Sequence, residues 1–400
     1  MIINGFEKNI ELKQCKRCVN DTRVPGISFD KNGICQYCKI HSKMEKDYPN
    51  DPLHGKAQLH ERVRKIKSRA KGKKYDCVVG LSGGRDSCYL LYLAVKEFGL
   101  RPLAVHFNDG FDNPVAGENM TKLCRFLDVS MRTITSNWKL ARDLKLMELQ
   151  ASTPQLNTGT DVGIASTLYG VAYKEKIPTI LFGQSFRTEG IKPLSWAYFE
   201  GDYLKAIHNE FGKIPMPKWS PSDPGYSLGA KELAYYILKS GIRVEAPLYN
   251  YPYIRSLAEE TMKNEFDWVY PGGHYYDDLY WSLIVHIHRV KFNIDLRINS
   301  YSALVRDGQM DRDEAKRLLQ ENYVIEDPDV IRLCLKRLGL EREEFDKYID
   351  LPPKHFTDYP NNYSLLKRLK WPISLLCNAG FLPKVVYDKW FMIGTGVENF

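Results

Sequence analysis

The sequence predicts an α/β protein, in which a doubly wound, mainly parallel sheet follows a small cysteine-rich module and precedes a largely helical region. Three observations support this fold class. Two cysteine pairs lie within the first 40 residues, an apolar run at 75–81 leads through a glycine loop into a helical pattern, and apolar residues beyond 279 recur mainly at helical spacing. We therefore expect three parts, at residues 1–55, 56–200 and 201–400.

The composition is that of a globular protein. The chain has 400 residues, of which 44% are hydrophobic and 26% are charged. No run approaches the roughly 18 apolar residues of a membrane helix. The start, Met1 to Glu7, lacks the basic, apolar and small-residue regions of a signal peptide. We therefore expect a cytoplasmic protein without a membrane anchor.

The net charge of +8 comes from one segment. Residues 56–74 contain nine Lys and Arg residues and one acid, which accounts for the whole excess. The same segment carries an apolar stripe of helical spacing: Leu59, Val63, Ile66 and Ala70. A solvated helix face is the favoured interpretation, and a surface for RNA, a nucleotide sugar or an acidic subunit is the alternative. Because the rest of the chain is balanced, we do not expect nucleic acid as a partner.

Four cysteines have the spacing of a metal site. Cys15 and Cys18 form one CxxC pair, and Cys35 and Cys38 form the second. Two such pairs supply four thiolates that can close a tetrahedron around Zn²⁺, as in a zinc ribbon. An iron–sulfur cluster and a redox pair are the alternatives.

The strongest signal of catalytic chemistry is the loop at 82–87. A strand-like run enters it and a helical pattern leaves it, so backbone N–H groups and a helix N-terminus point at an anion. Asp86 would repel phosphate unless a cation lies between them, which predicts Mg²⁺ on a pyrophosphate group. The expected nucleotide-binding residues here are Leu81, Ser82, Gly83, Gly84, Arg85, Asp86 and Ser87.

Further strands predict the rest of the site. Apolar runs at 103–107, 131–134 and 179–183 alternate with helical patterns at 115–127 and 161–174. In such sheets the ligand lies at the carboxyl ends of the strands. This places Phe107, Asn108, Asp109 and Gly183 beside the loop, with Leu81 and Phe107 either near adenine or in the core.

Two further acids are candidates for catalysis. Glu189 follows the end of a predicted strand. Asp161 either takes part in catalysis or caps the N-terminus of a helix. Arg85 and Asp86 complete the predicted catalytic set. His274 is a weaker candidate, and His286 and His288 are expected to pack in an apolar stretch.

The sequence Ser82-Gly83-Gly84-Arg85-Asp86-Ser87 resembles the PP-loop of ATP pyrophosphatases, a HUP-like fold. The chain is similar to the N-acetyl sugar amidotransferases of surface-polysaccharide and flagellar-sugar pathways. The similarity rests on this loop, on both CxxC pairs, and on the segments Thr188-Glu189-Gly190, Gly272-Gly273-His274-Tyr275 and Lys291–Asp295. The resemblance implies ATP, Mg²⁺ and a nucleotide-activated N-acetyl sugar as ligands. It implies that ATP adenylates the acetamido oxygen and that ammonia displaces AMP to give an acetamidine.

The resemblance also implies a partner. Ammonia would come from a separate class I glutaminase, since no cysteine in this chain lies between glycines as that nucleophile requires. The main alternative function is a PP-loop tRNA sulfurtransferase, which also combines cysteine pairs with a basic surface. A catalytically inactive ATP-binding protein is a third interpretation, which the complete loop disfavours.

Overall fold

A five-stranded parallel sheet forms the centre of the protein in the computed structural model, which describes residues 12–271, 277–379, 381–382, 387 and 391. The strands are β1 (Cys77–Gly80), β2 (Pro102–Asn108), β3 (Met131–Thr135), β4 (Thr179–Leu181) and β5 (Arg243–Glu245). Their order across the sheet is β3-β2-β1-β4-β5. All neighbouring pairs run parallel, so their carboxyl ends share one edge.

Helices cover both faces of this sheet. The first group is α1 (Gln36–Asp47), α2 (His54–Arg69), α3 (Arg85–Lys96), α4 (Pro114–Leu127), α5 (Trp138–Ala151), α6 (Thr158–Lys174), α7 (Gly201–Phe211) and α8 (Ala230–Ala234). A π-helical turn, Tyr235–Lys239, continues α8. Because both faces are covered, β1 and β2 are buried along most of their length and read as continuous apolar runs.

The remaining helices follow β5. They are α9 (Arg255–Phe266), α10 (Tyr280–Phe292), α11 (Arg297–Arg306), α12 (Arg312–Gln320), α13 (Pro328–Leu338), α14 (Arg342–Asp350), α15 (Tyr363–Arg368) and α16 (Lys370–Asn378), with 3-10 turns at Pro247–Tyr249 and Phe356–Asp358. No helix in the described ranges is both long and apolar enough to cross a membrane.

The predicted fold class is confirmed. The four strands expected from apolar runs are present, with ends that differ by at most two residues. β5 adds a fifth strand that lies beyond the expected boundary at residue 200. Its sequence, Arg243-Val244-Glu245, has two charged residues around one apolar residue, so it produces no apolar run.

The cysteine-rich segment packs against the C-terminal helices. Short bridges join Gln14 to Asp21 and Phe29 to Cys35, and α1 follows. Its buried side chains share one apolar cluster with Phe186 and with Ala315 of α12. The segment is therefore built into the body of the protein.

The basic segment forms α2, as the apolar stripe predicted. Arg62 and Arg69 both contact the carboxylate of Glu245 on β5, at 2.7 and 3.5 Å. Arg64 pairs with Glu61 on the same helix at 2.7 Å. Much of the local positive charge is thus matched by acids of the same chain.

Candidate functional site

The loop at 82–87 lies between β1 and the first turn of α3. The Ser82 backbone N–H donates to Ser87 Oγ at 3.1 Å, and the two serine hydroxyl oxygens are 3.0 Å apart. The Gly84 N–H is 3.4 Å from Ser82 Oγ. These contacts hold the loop closed on itself and place its backbone at the N-terminus of α3.

Gly83 fixes this loop to the neighbouring helix. It has φ +81°, and a Cβ atom there would lie 2.1 Å from the carbonyl oxygen of Ala116 in α4. The Gly83 carbonyl accepts hydrogen bonds from Asn119 Nδ2 and Trp268 Nε1, at 3.2 and 3.3 Å. Only glycine satisfies both the conformation and the close approach.

A cavity of about 300 Å³ opens above the loop, at the carboxyl ends of β1, β2 and β4. The predicted residues that line it are Leu81, Ser82, Gly84, Arg85, Asp86, Ser87, Phe107, Asp109, Asp161, Gly183 and Glu189. Two predicted residues do not line it. Gly83 acts from behind the loop, and Asn108 Oδ1 accepts from the Gly110 N–H at 2.7 Å in a turn.

The cavity wall is dominated by carboxylates. Seven acids line it, against one arginine and one histidine, and they are Asp86, Asp109, Asp112, Asp161, Glu189, Asp277 and Asp278. Such a wall repels phosphate unless the carboxylates are paired, protonated or bridged by cations. The environment of each acid therefore decides what the cavity can bind.

Asp86 belongs to a buried network with Arg85. Arg85 Nε lies 3.2 Å from Asp86 Oδ1, and Arg85 Nη1 lies 2.5 Å from Glu259 Oε1. The Tyr253 hydroxyl also donates to Asp86. Burial by itself would lower the pKa of Arg85, but Asp86 and Glu259 raise it above its usual value. Arg85 is thus a permanent cation that holds Asp86 in place.

Asp109 is neutralised by a buried lysine. Lys145 Nζ lies 2.8 Å from Asp109 Oδ2 and 3.0 Å from Thr160 Oγ1. The Thr160 hydroxyl donates to the same carboxylate oxygen at 2.6 Å. Burial favours the neutral amine, but Asp109 outweighs it and raises the pKa of Lys145. This pair adds no net charge to the cavity.

Two acids near this pair favour their protonated forms. Burial raises the pKa of Glu148 to about 8, although its carboxylate accepts a hydrogen bond from the Gly159 N–H at 2.7 Å. Desolvation and the adjacent charge of Asp109 raise the pKa of Asp278 well above its usual value. The surroundings of Asp278 therefore disfavour its ionised form.

The segment at 277–279 reaches the loop from the C-terminal region. The Asn113 N–H donates to the Asp277 carbonyl at 3.0 Å, and the Leu279 N–H donates to the Phe111 carbonyl at 2.8 Å. A Cβ atom on Gly84 would lie 3.0 Å from Asp277 Oδ2. The Asp277 carboxylate therefore lies directly beside the backbone of the phosphate-type loop.

Asp161 and Glu189 both line the cavity, and both lie close enough to Lys192 to act on its charge. Asn157, not Asp161, precedes α6, so the interpretation of Asp161 as a helix cap is wrong. Desolvation lowers the pKa of Lys192, and Glu189 and Asp161 act in the opposite direction. Burial therefore disfavours the charged form of Lys192 even though two acids lie near it.

The histidines divide as expected. His288 Nε2 lies 2.8 Å from the Pro154 carbonyl and His286 Nδ1 lies 2.8 Å from Glu326, so both pack in the helical region. Gly272, Gly273, His274 and Tyr275 lie outside the described residues. His106 was not a candidate, but it lines the cavity, with Nε2 2.8 Å from Asp112.

The four cysteines of the CxxC pairs lie in one cluster that could hold a metal ion. Their sulfur atoms are buried, and the Cys15–Cys38, Cys18–Cys35 and Cys35–Cys38 distances are 3.7, 3.8 and 3.6 Å. A single ion with metal–sulfur bonds of about 2.3 Å gives tetrahedral sulfur–sulfur distances of about 3.8 Å. A cubane iron–sulfur cluster must fit between its ligands and requires them further apart, so the spacing fits a mononuclear ion.

Backbone and side-chain donors surround these sulfur atoms. The Cys35 N–H lies 3.3 Å from Cys15 Sγ, and Arg306 Nη2 lies 3.5 Å from Cys18 Sγ. Arg306 is buried, so its charge offsets that of the thiolates. Arg312 also donates to the carbonyl oxygens of Cys15 and Cys18, at 2.7 and 3.1 Å.

Sequence reasoning missed five residues of the site. His106, Lys145, Lys192, Asp277 and Asp278 lie at or beside the cavity. The consecutive acids at 277–278 gave a signal that could have been used. Lys145 gave none, because only the packing of α5 against the sheet brings it to Asp109.

Comparison with known proteins bears on the C-terminal region first. The family described as "LPS biosynthesis protein WbpG-like, C-terminal domain" matches residues 275–370. This region is thus similar to the WbpG-like family. The family relationship predicted from the sequence is confirmed over this range. The WbpG-like region starts at the acidic segment that enters the cavity.

One curated relative is an uncharacterised protein of Methanocaldococcus jannaschii, which is 26% identical over 126 residues. The match spans 31% of this chain and 43% of the relative, so it covers less than half of that protein.

Three solved structures resemble the chain in shape. The U34-tRNA thiolase NcsA from Methanococcus maripaludis is 15% identical, with 82% of this chain and 99% of that chain covered and a TM-score of 0.31. The NH3-dependent NAD synthetase from Campylobacter jejuni is 13% identical, with 80% and 98% covered and a TM-score of 0.29. The NMN synthetase from Francisella tularensis is 17% identical, with 54% and 93% covered and a TM-score of 0.27. At these identities and TM-scores the likenesses do not bear on function.

Gly83→Ala should destabilise the protein by at least about 2 kcal/mol, because the new Cβ atom collides with the Ala116 carbonyl. The matched control is Gly72→Ala, since Gly72 has φ +78° and no atom within 4 Å of a new Cβ. The control should lose about 1 kcal/mol from backbone strain alone. Urea denaturation measures the free energy of unfolding of both variants. Equal losses of stability would contradict the close approach of Gly83 to the Ala116 carbonyl.

Cys18→Ser should release the metal and cost several kcal/mol of stability, because metal binding at such a site contributes folding energy. Cys77→Ser is the matched control, since both side chains are 0% exposed and only Cys18 lies in the cluster. Elemental analysis should find one ion per chain in the wild type and the control. Retention of the ion by Cys18→Ser would refute the assignment.

Glu148→Gln should change how stability depends on pH. The pKa of Glu148 rises from 4.5 in the unfolded chain to about 8 in the folded chain. Folding therefore takes up a proton between these values, and the stability of the wild type falls as pH rises through this window. Glutamine does not titrate, so the free energy of unfolding of the variant should increase relative to that of the wild type by about 1–3 kcal/mol between about pH 5 and pH 8.

Denaturation at a series of pH values measures this difference. The matched control is Glu343→Gln on the exposed surface of α14, whose stability should follow the wild-type profile. A constant gap between Glu148→Gln and the wild type would show that the buried carboxyl keeps its ordinary pKa.

Proposed function

We propose that the chain is an ATP-dependent synthetase that converts the acetamido group of a nucleotide-activated N-acetyl sugar into an acetamidine. The observation that carries this proposal is the position of the 82–87 loop on the floor of a carboxylate-rich cavity at the carboxyl ends of the strands. The match to a lipopolysaccharide biosynthesis family supports a sugar substrate.

The loop is suited to hold the phosphate groups of ATP. The first turn of α3 offers backbone N–H groups and the positive end of the helix dipole. Leu81, Phe107 and Ile164 provide an apolar wall next to the loop, where the adenine would lie. The cavity thus has a polar end for phosphate and an apolar end for the base.

The acids beside the loop fit Mg²⁺. Carboxylate oxygens are its preferred protein ligands, and it is usually bound through one or two carboxylates together with substrate phosphates. Asp86 and Asp277 would hold the ion, since both lie against the loop. When bound, Mg²⁺ would offset the negative charge on the pyrophosphate leaving group. Arg85 would keep Asp86 oriented for this task.

The chemistry requires an activated amide. An amide oxygen is a poor leaving group and must therefore be activated first. It attacks the α-phosphorus of ATP, which forms a new P–O bond and releases pyrophosphate. The lone pair of ammonia then attacks the amide carbon, and the carbon–oxygen bond breaks to release AMP. Holding the reacting atoms in line can contribute about 7–11 kcal/mol to the rate of such a step.

Asp161 or Glu189 would take the proton that the attacking nitrogen loses. Both carboxylates line the cavity, and Lys192 lies near both of them. An ionised carboxylate is the form that a general base requires. The amidine product becomes a cation, which the acidic wall would stabilise.

We further propose that a class I glutaminase supplies the ammonia and that the ion at the four cysteines is Zn²⁺. Neutral ammonia is scarce at neutral pH, so a partner that releases it close to the cavity would be needed for efficient turnover. Four buried thiolates at tetrahedral spacing, with no open position, are typical of structural zinc.

The alternative of tRNA thiolation lacks a sulfur carrier near the cavity. A sulfurtransferase of this kind needs a cysteine or a cluster that reaches the activated base. Cys77, Cys88 and Cys124 are buried, and none of them lines the cavity. The amidotransferase reaction needs no such group, so we favour it.

A product assay tests the proposed function. The protein is mixed with ATP, MgCl₂, ammonium chloride and a panel of nucleotide-activated acetamido sugars. We expect AMP, pyrophosphate and a sugar whose mass falls by about one dalton as oxygen is replaced by NH. Release of ADP, or AMP release that needs tRNA and a sulfur donor, would refute the proposal.

Asp86→Asn should reduce sugar-dependent AMP formation by about 10²–10³-fold, because it removes a charge at the leaving group. Glu259→Gln is the control, since Glu259 contacts Arg85 in the same network but does not line the cavity. The control should stay within a few-fold of wild type. Comparable activity of the two variants would show that Asp86 has only a structural role.

A further inference from the structure

His106 lines the cavity but has no part in the reaction as proposed so far. It lies near the carboxyl end of β2 and is only 7% exposed. Its Nδ1 lies 2.9 Å from the Leu81 carbonyl oxygen, and its Nε2 lies 2.8 Å from Asp112 Oδ2. A single ring therefore joins two separate parts of the cavity wall.

Both partners of this ring are hydrogen-bond acceptors. The Leu81 carbonyl can only accept, so Nδ1 carries a proton, and a carboxylate such as that of Asp112 accepts from a protonated Nε2. Burial by itself would lower the pKa of His106, but Asp112 and the Leu81 carbonyl raise it above its usual value. The doubly protonated ring satisfies both contacts at once.

The first contact fixes the start of the 82–87 loop. The Leu81 N–H donates to the Val105 carbonyl at 2.9 Å. The Leu81 carbonyl shares a planar trans peptide unit with the Ser82 N–H, so the two groups point in opposite directions. While His106 holds the carbonyl, the Ser82 N–H faces Ser87 Oγ, 3.1 Å away. The ring therefore sets the orientation of the first peptide of the loop.

The second contact reaches the acidic segment from the C-terminal region. Asp112 forms an antiparallel bridge with Asp278, and the adjacent Asn113 N–H donates to the Asp277 carbonyl at 3.0 Å. The Asp277 carboxylate lies beside Gly84 of the loop, where a Cβ atom would be 3.0 Å from Oδ2. The imidazole ring is thus a side-chain bridge between the loop and the segment that carries Asp277.

Such a bridge has an electrostatic task. Asp86 and Asp277 both lie at the loop, and like charges repel until a cation lies between them. A fixed connection keeps Asp277 at the loop before the cation binds. Less free energy is then spent on assembling the site when the ligands arrive.

We propose that His106, together with Asp112, is a positioning residue that holds Asp277 against the 82–87 loop for the joint binding of Mg²⁺ and ATP. The inference rests on the proposed function, since Mg²⁺ and ATP are ligands of that reaction. His106 would donate no hydrogen bond to either ligand, because both of its ring nitrogens are engaged. It acts through the loop and through Asp277.

Two substitutions of Asp112 separate the bridge from the charge. Asp112→Asn removes the charge but keeps the bridge, because its amide N–H donates to Nε2 of a neutral ring whose Nδ1–H still donates to Leu81. Asp112→Leu has the same branching and removes both. The Asp112 side chain is 30% exposed, so neither substitution disturbs the core. Any difference between the two variants therefore comes from the bridge.

Equilibrium dialysis of ATP against the full chain, without sugar, measures the effect. The Kd for ATP is determined once with excess MgCl₂ and once with EDTA, and the ratio of the two values is the gain in affinity due to Mg²⁺. We expect a gain of about tenfold or more in the wild type. Asp112→Asn should retain the gain within about threefold, whereas the gain of Asp112→Leu should be at least about fivefold smaller than that of Asp112→Asn.

His106→Ala tests the contact with the loop. It frees the Leu81 carbonyl as well as Asp112, so the Kd for ATP should rise even in EDTA, which the Asp112 variants do not produce. An unchanged Kd in EDTA for the folded variant would overturn the anchoring of the loop. Because His106 is buried, thermal denaturation checks its fold, and the Asp112 pair decides the proposal if His106→Ala does not fold.

The outcomes separate the bridge from the reaction. Equal gains in Asp112→Asn and Asp112→Leu would overturn the bridge, while joint binding of ATP and Mg²⁺ to the wild type would leave the proposed function standing. Absence of ATP binding to the wild type, or a Kd that MgCl₂ does not change, would overturn the proposed ligand site and the bridge with it.

Discussion

Repulsion between a polyphosphate and the carboxylates around it is the constraint on which this structure depends. The 82–87 loop is shaped for an anion, yet seven acids line the cavity above it. Asp109 is paired with Lys145, whose Nζ lies 2.8 Å away, and burial together with the charge of Asp109 raises the pKa of Asp278. Asp86 and Asp277 lie closest to the loop, and the Mg²⁺ that we propose there would couple metal binding to nucleotide binding.

The fold assembles this site from distant parts of the chain. The change of direction in the strand order places the crevice above β1 and β4, and the loop fills its floor. The WbpG-like region contributes Asp277 and Asp278 by pairing with the segment after β2. The cysteine cluster lies elsewhere, and through Arg306 and Arg312 it fixes α11 and α12 to the N-terminal segment. Its contribution is to the frame that supports the site.

Much of this could be predicted from the sequence, and the rest could not, for physical reasons. Strong local patterns predicted the loop, four strands and both CxxC pairs. β5 was missed because its pairing comes from the neighbouring strand and not from its own apolarity. Lys145 and Lys192 were missed because their proximity to acids depends on packing between helices and loops. Asp161 was considered as a cap because it precedes an apolar-periodic run, but α6 begins three residues earlier, at Thr158.

The central claim is that the acetamido oxygen attacks the α-phosphorus of ATP held on the 82–87 loop. The most direct measurement uses a nucleotide-activated sugar with ¹⁸O in its acetamido carbonyl and follows the label by mass spectrometry. The account predicts that each turnover places the ¹⁸O atom in the phosphoryl group of AMP and leaves pyrophosphate unlabelled. Label in inorganic phosphate, or retained in the sugar while ATP is consumed, would contradict it.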